Sequence, residues 1–125
     1  MADQILLYIG SALTVIWGIA HLFPTKSVVQ GFGDISIDNK RIITMEWIIE
    51  GIALIFIGVL VGAVTVVDAT NMVSTVVYSI SICGLLVLAL VSLFTGFRIN
   101  FLPFRLCPFI FTASAVLIFI GVLLQ

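Results

Sequence analysis

Four long apolar runs, broken by short polar stretches, organise this chain. They predict helices at about residues 4–23, 41–67, 72–97 and 105–124, each close to the ~20 residues needed to cross a hydrocarbon layer. The breaks are chemically consistent. Pro24 closes the first helix, Asp68-Ala69-Thr70-Asn71 makes a turn, and Asn100 with Pro103 separates the third helix from the fourth. Asp38 or Asn39 is expected to cap the second helix.

Within the runs, small and polar residues recur at helical spacing. Ser11, Thr14, Gly18 and His21 form one stripe on the first helix, a pattern suited to close contact between helices in lipid. On the third helix Ser74, Ser81, Ser92, Thr95 and Arg98 fall on a seam with Tyr78, Leu85 and Leu88 between them. The second helix carries Gly58-Val59-Leu60-Val61-Gly62, a GxxxG that can pack a helix of the same chain or of a second copy.

Composition agrees with this pattern: 62% of residues are hydrophobic and 9% charged, with a mean hydropathy of +1.38. The expected fold class is all-α, an integral membrane four-helix transmembrane bundle, with residues 1–125 as one domain and the lipid bilayer as its first partner. A net charge of -1 gives no basic surface for nucleic acid. The N-terminal Met1-Ala2-Asp3-Gln4 carries an acid where a secretory signal carries lysine or arginine, so the first run is expected to remain as a helix.

The charges are distributed unevenly. Lys26, Lys40, Arg41, Arg98 and Arg105 all fall where odd-numbered helices end and even-numbered helices begin. The positive-inside rule then places both connecting loops in the cytoplasm and both termini on the non-cytoplasmic side, with a plasma (inner) membrane location. The stretch from Pro24 to Lys40 contains Gly31-Phe32-Gly33 and is read as an interfacial loop, with a gating lid as the alternative.

Glu46 and Glu50 are the costly residues. They stand one helical turn apart, about 7 and 13 Å along the axis from Arg41, and a carboxylate inside a membrane is a functional-site hypothesis by default. His21 and Arg98 end their polar seams at a similar depth. The expected site is therefore Glu46, Glu50, His21 and Arg98, supported by Thr14, Trp47, Thr95, Asn100 and Arg105. Pairing of Arg98 with one glutamate would make the cluster a register-fixing network. It leaves a second carboxylate, and that excess of acid favours a proton or a ligand. Trp47, Phe94, Phe97, Phe101 and Phe104 are read as an interfacial aromatic belt, with a ligand-lining wall as the alternative.

No cofactor is expected. His21, Glu46 and Glu50 are suitable metal-ligand types, but the Glu-x-x-His spacing of bundle metal sites is missing, and His21 is the sole histidine, which disfavours haem. Cys83 and Cys107 differ in depth by around 20 Å, too far for a disulfide, and are read as packing residues.

The run from Ile9-Gly10-Ser11-Ala12 through Gly18-Ile19-Ala20-His21-Leu22-Phe23-Pro24, with Gly51 and the Gly58–Gly62 pair, resembles the DoxX-like group of small four-helix membrane proteins. The resemblance implies a role near quinone-linked sulfur chemistry or oxidative stress. Small multidrug exporters and fluoride channels share the size, but their key residues are missing here.

These observations lead to a multi-pass protein with a cytoplasm-facing polar pocket that binds a small ligand or a proton, transport being one activity such a pocket would serve. An accessory subunit that holds a partner, lipid or quinone through an ion-pair network is the alternative, homo-oligomeric assembly included. A membrane redox enzyme component comes third, since no nucleophile with its base is visible.

Overall fold

The computed structural model describes residues 1–125 and contains five helices: α1 (Ala2–Leu22), α2 (Thr25–Gly31), α3 (Ile37–Asp68), α4 (Met72–Thr95) and α5 (Leu102–Leu123). Four of them, α1, α3, α4 and α5, are long and apolar enough to cross a membrane. They match the four apolar runs to within a few residues at most boundaries. The two exceptions lie between Pro24 and Lys40. That stretch contains the short helix α2, and α3 begins at Ile37 rather than near Arg41.

The early start of α3 has a local cause. Ser36, not Asp38 or Asn39, is the cap, and its side-chain oxygen accepts a hydrogen bond from the Asn39 backbone N–H at 3.2 Å. Asp38 then sits in the first turn, where a negative charge suits the helix dipole, and Arg41 lies 3.6 Å from it. At the other end Asn71 caps α4 by accepting from the Val73 N–H at 2.9 Å. Asp68 closes the intervening turn by accepting from both the N–H and the hydroxyl of Thr70.

Helix α1 lies between α3 and α5 and approaches both through glycines. A Cβ at Gly18 would lie 2.8 Å from the Gly51 carbonyl oxygen and 2.9 Å from the Ile55 nitrogen; one at Gly58 would meet the Ser11 carbonyl oxygen at 2.8 Å. The Ser11 hydroxyl donates to the Gly58 carbonyl at 2.7 Å. The GxxxG segment therefore packs against α1 of its own chain. On the opposite side, Gly10 faces Ile118, and Gly121 faces Leu7. Small residues bring backbones together in the way that favours association of helices without a hydrophobic driving force.

Helix α4 rests on α5 and meets α3 along a thinner seam. Tyr78 and Thr65 are both buried there and share a hydrogen bond of 2.9 Å, and the Ser74 hydroxyl donates to the Asp68 carbonyl at 2.6 Å. Replacing Tyr78 with phenylalanine keeps the packed ring and removes that bond. We expect it to lower stability by about 1 kcal/mol, read from denaturant unfolding in detergent. The core is narrow: Leu7, Leu54, Val61, Tyr78, Leu85, Phe111 and Ile118 are fully buried, whereas residues such as Phe56, Val67, Ile80 and Phe119 face outward.

Candidate functional site

The buried positions of α3 are Trp47, Gly51, Leu54, Gly58, Val61 and Thr65, spaced alternately by four and three. At about 100° per residue, Glu50 lies roughly 60° from the centre of this seam and Glu46 roughly 100° from it. The expectation that both carboxylates share the inner face is corrected by this geometry. Glu50 is half-buried at the flank of the seam, while Glu46 is exposed and makes no ion pair.

His21 joins Glu50. It ends the buried stripe of α1, which runs through Ser11, Thr14 and Gly18, and its side chain is 3% exposed. The imidazole Nε2 lies 3.4 Å from Glu50 Oε2, within ion-pair reach, yet this buried nitrogen has no hydrogen-bond partner. The ring stacks on Trp47 with centroids 3.9 Å apart and planes 16° from parallel. The Trp47 indole N–H in turn donates to the His21 carbonyl oxygen at 2.7 Å, so one residue holds both the ring and the backbone of His21. Trp47 is therefore an interior residue, not part of an interfacial belt.

Phe104 of α5 meets Trp47 edge-on at 5.3 Å, and Phe101 meets Phe104 at 5.6 Å. Phe94, by contrast, is 76% exposed, as a belt residue would be.

The two arginines expected near the carboxylates lie elsewhere. The Ser92 carbonyl accepts from the N–H groups of both Gly96 and Phe97, which ends α4. Arg98 consequently falls in the turn beyond, exposed and without an ion pair, so its expected pairing with Glu46 or Glu50 is not formed. Arg105 donates from Nε to the Ile99 carbonyl and from Nη2 to Asn100 Oδ1, at 3.2 and 3.3 Å. Arg105 and Asn100 thus brace the turn between α4 and α5. Thr14 donates to the Gly10 carbonyl one turn back and serves the α1 interior rather than the site.

Beside Glu50 a cavity of about 320 Å³ opens between α3, α4 and α5. Leu88, Val91, Ile99 and Phe104 give it an apolar wall, and Ser92, Thr95 and Cys107 also border it. A second cavity of about 470 Å³ adjoins it, formed by Ser27, Val28, Gly31 and Phe32 around α2 together with Asn100 and Phe101. Ile99 and Phe104 border both. Of the expected site residues, the structure unites His21, Glu50, Trp47 and Thr95 in this region.

Ser92 was legible as a member of the α4 seam, but Phe104 and Cys107 carried no sequence signal beyond aromatic and apolar character. Cys83 and Cys107 are both free, Cys83 exposed and Cys107 buried. No third histidine, cysteine, aspartate or glutamate joins His21 and Glu50 in a metal-binding group. No protein-family model, curated protein or solved structure matches this chain.

Proposed function

We propose that this is a small multi-pass membrane protein that binds a proton or a small ligand at the Glu50 cavity and moves it across the bilayer. One observation carries the reading: the Glu50 carboxylate borders an apolar cavity, and its sole ion-pair partner is the buried imidazole of His21. A carboxylate at the flank of a membrane helix with so little compensation is a functional-site candidate for a proton or a ligand.

Depth supports the choice of Glu50 over Glu46. Counted back from Asp68 at 1.5 Å per residue, a hydrocarbon layer of ~30 Å takes about twenty residues of α3 and reaches Ile49. Glu46 then stands at the boundary and Glu50 just inside it. All five lysines and arginines belong to the end of the bundle nearest Glu50, which supports a cytoplasm-facing cavity in this reading through the positive-inside rule.

Purified protein in liposomes, with a pH-sensitive dye inside and an imposed proton gradient, tests this proposal. Wild type is expected to collapse the gradient faster than empty liposomes. Glu50→Gln should slow that collapse by at least about tenfold, the scale set by loss of one essential proton carrier. Glu46→Gln should leave it unchanged. Equal rates for wild type and Glu50→Gln overturn proton coupling at this site.

A further inference from the structure

We infer that the Glu50 cavity takes an organic cation, a protonated amine with an apolar body; this rests on the reading of that cavity as a binding site. The argument is an account of donors and acceptors. The Ser92 hydroxyl donates to the Leu88 carbonyl at 2.7 Å and the Thr95 hydroxyl to the Val91 carbonyl at 2.6 Å. Each hydroxyl has one hydrogen, so both present only lone pairs to anything else. Glu50 adds a carboxylate, which when ionised only accepts. The polar side chains that border the cavity through oxygen are therefore acceptors, and one of them is a carboxylate.

Such a surface selects for a ligand that brings its own N–H donors and a positive charge. A carboxylate or phosphate would face like charge. The carbonyl oxygens of a quinone would meet acceptors, with the weak S–H of Cys107 as the available donor. A hard cation such as Ca2+ takes six to eight oxygen ligands, more than Glu50, Ser92 and Thr95 supply, and no group of three or more His, Cys, Asp or Glu side chains gathers here as a softer metal would need.

The rest of the lining suits the body of the ligand. Leu88, Val91, Ile99 and Phe104 offer apolar contact, and an aromatic ring in the wall is compatible with an ammonium ligand. A volume of about 320 Å³ lies at the small end of ligand sites.

His21 supplies the second, independent observation. Its Nε2 is buried and unpartnered, and it lies 3.4 Å from the same carboxylate. Glu50 thus has the imidazole on its α1 side and the cavity on the other. The other groups facing it add no competing charge: Ser92 and Thr95 come from α4, and Cys107 from α5.

Three probes of one shape and different charge test the inference: 2-phenylethylammonium, 2-phenylethanol and 3-phenylpropionate. Binding is read from Trp47 fluorescence in a Trp17→Phe background, which leaves Trp47 as the sole tryptophan. The ammonium is expected to bind saturably and at least about tenfold more tightly than the alcohol, as a charge-assisted hydrogen bond allows, with no binding of the carboxylate. Glu50→Gln should remove that preference while far-ultraviolet circular dichroism and the unfolding midpoint stay as in the parent. Glu50→Asp, which keeps the charge, should retain it.

Equal or tighter binding of the alcohol or the carboxylate overturns the cation inference. If that binding still needs Glu50, the cavity survives as a site for another ligand. Absence of binding by all three probes also overturns the cation inference, and the liposome measurement then decides separately whether Glu50 carries protons.

Discussion

Replacing Gly58 with valine is expected to cost about 3 kcal/mol or more and to loosen α1 from α3, because the added atoms have nowhere to go. A first Cβ at this position already meets the Ser11 carbonyl oxygen at 2.8 Å and the Val15 backbone nitrogen at 2.9 Å. Neither atom can rotate aside as the end of a side chain could. The substitution also pushes away the Gly58 carbonyl that accepts from Ser11. Denaturant unfolding in detergent measures the loss, and the same change at Gly84, where a Cβ meets no atom within 4 Å, provides the contrast. A Gly58→Val protein as stable as wild type would show that α1 and α3 are not held by this close approach.

The second large effect is expected at Trp47. Truncation to alanine removes a buried indole, the stack on His21, the hydrogen bond to the His21 carbonyl and the edge contact with Phe104. Losses of this kind cost about 3–5 kcal/mol in a packed interior. Trp47→Phe retains an aromatic face for the imidazole and loses the indole N–H, so it should recover most of the stability. In the liposome assay Trp47→Ala is expected to impair proton movement as well, because His21 loses both the stack on its ring and the hydrogen bond on its backbone carbonyl. A fully stable Trp47→Ala protein would mean that the aromatic layer at this end of the bundle merely fills space.

How far the fold could be read in advance is clear from particular residues. The four apolar runs gave the long helices, because a period of 3.6 over twenty or more residues leaves few alternatives. The stripe from Ser11 to His21 was legible for the same reason and is buried as a unit. Helix α2 was not, since seven residues carry too little periodicity to separate a helix from a loop. The cap at Ser36 was missed because Asp38 and Asn39 are equally good capping types, and the choice depends on where the preceding chain turns.

The site was legible in part. Its costly carboxylate and lone histidine were visible in the sequence, and so was Thr95. What could not be read was which of two glutamates faces inward, since that depends on a rotation of about 40° around α3, fixed by Gly51 and Gly58 against α1. Trp47 stands in register with those glycines, and its spacing from Gly51, Leu54 and Gly58 was a usable signal for an interior position. Arg98 was misplaced because the helical seam was extended past Thr95, where the Ser92 carbonyl draws in two N–H groups and the helix stops.

The central place of α1 has a consequence for how this protein can change over time. The close glycine contacts lie between α1 and its two neighbours, whereas the Glu50 cavity opens between α3, α4 and α5 and is walled mainly by α4. Substitutions at Leu88, Val91 or Ile99 reshape the cavity without touching those contacts. Under the proposed function, ligand preference can therefore drift among descendants of this chain while the scaffold stays constant, and variation should concentrate on the α4 wall and be scarce along Gly10, Gly18, Gly51 and Gly58.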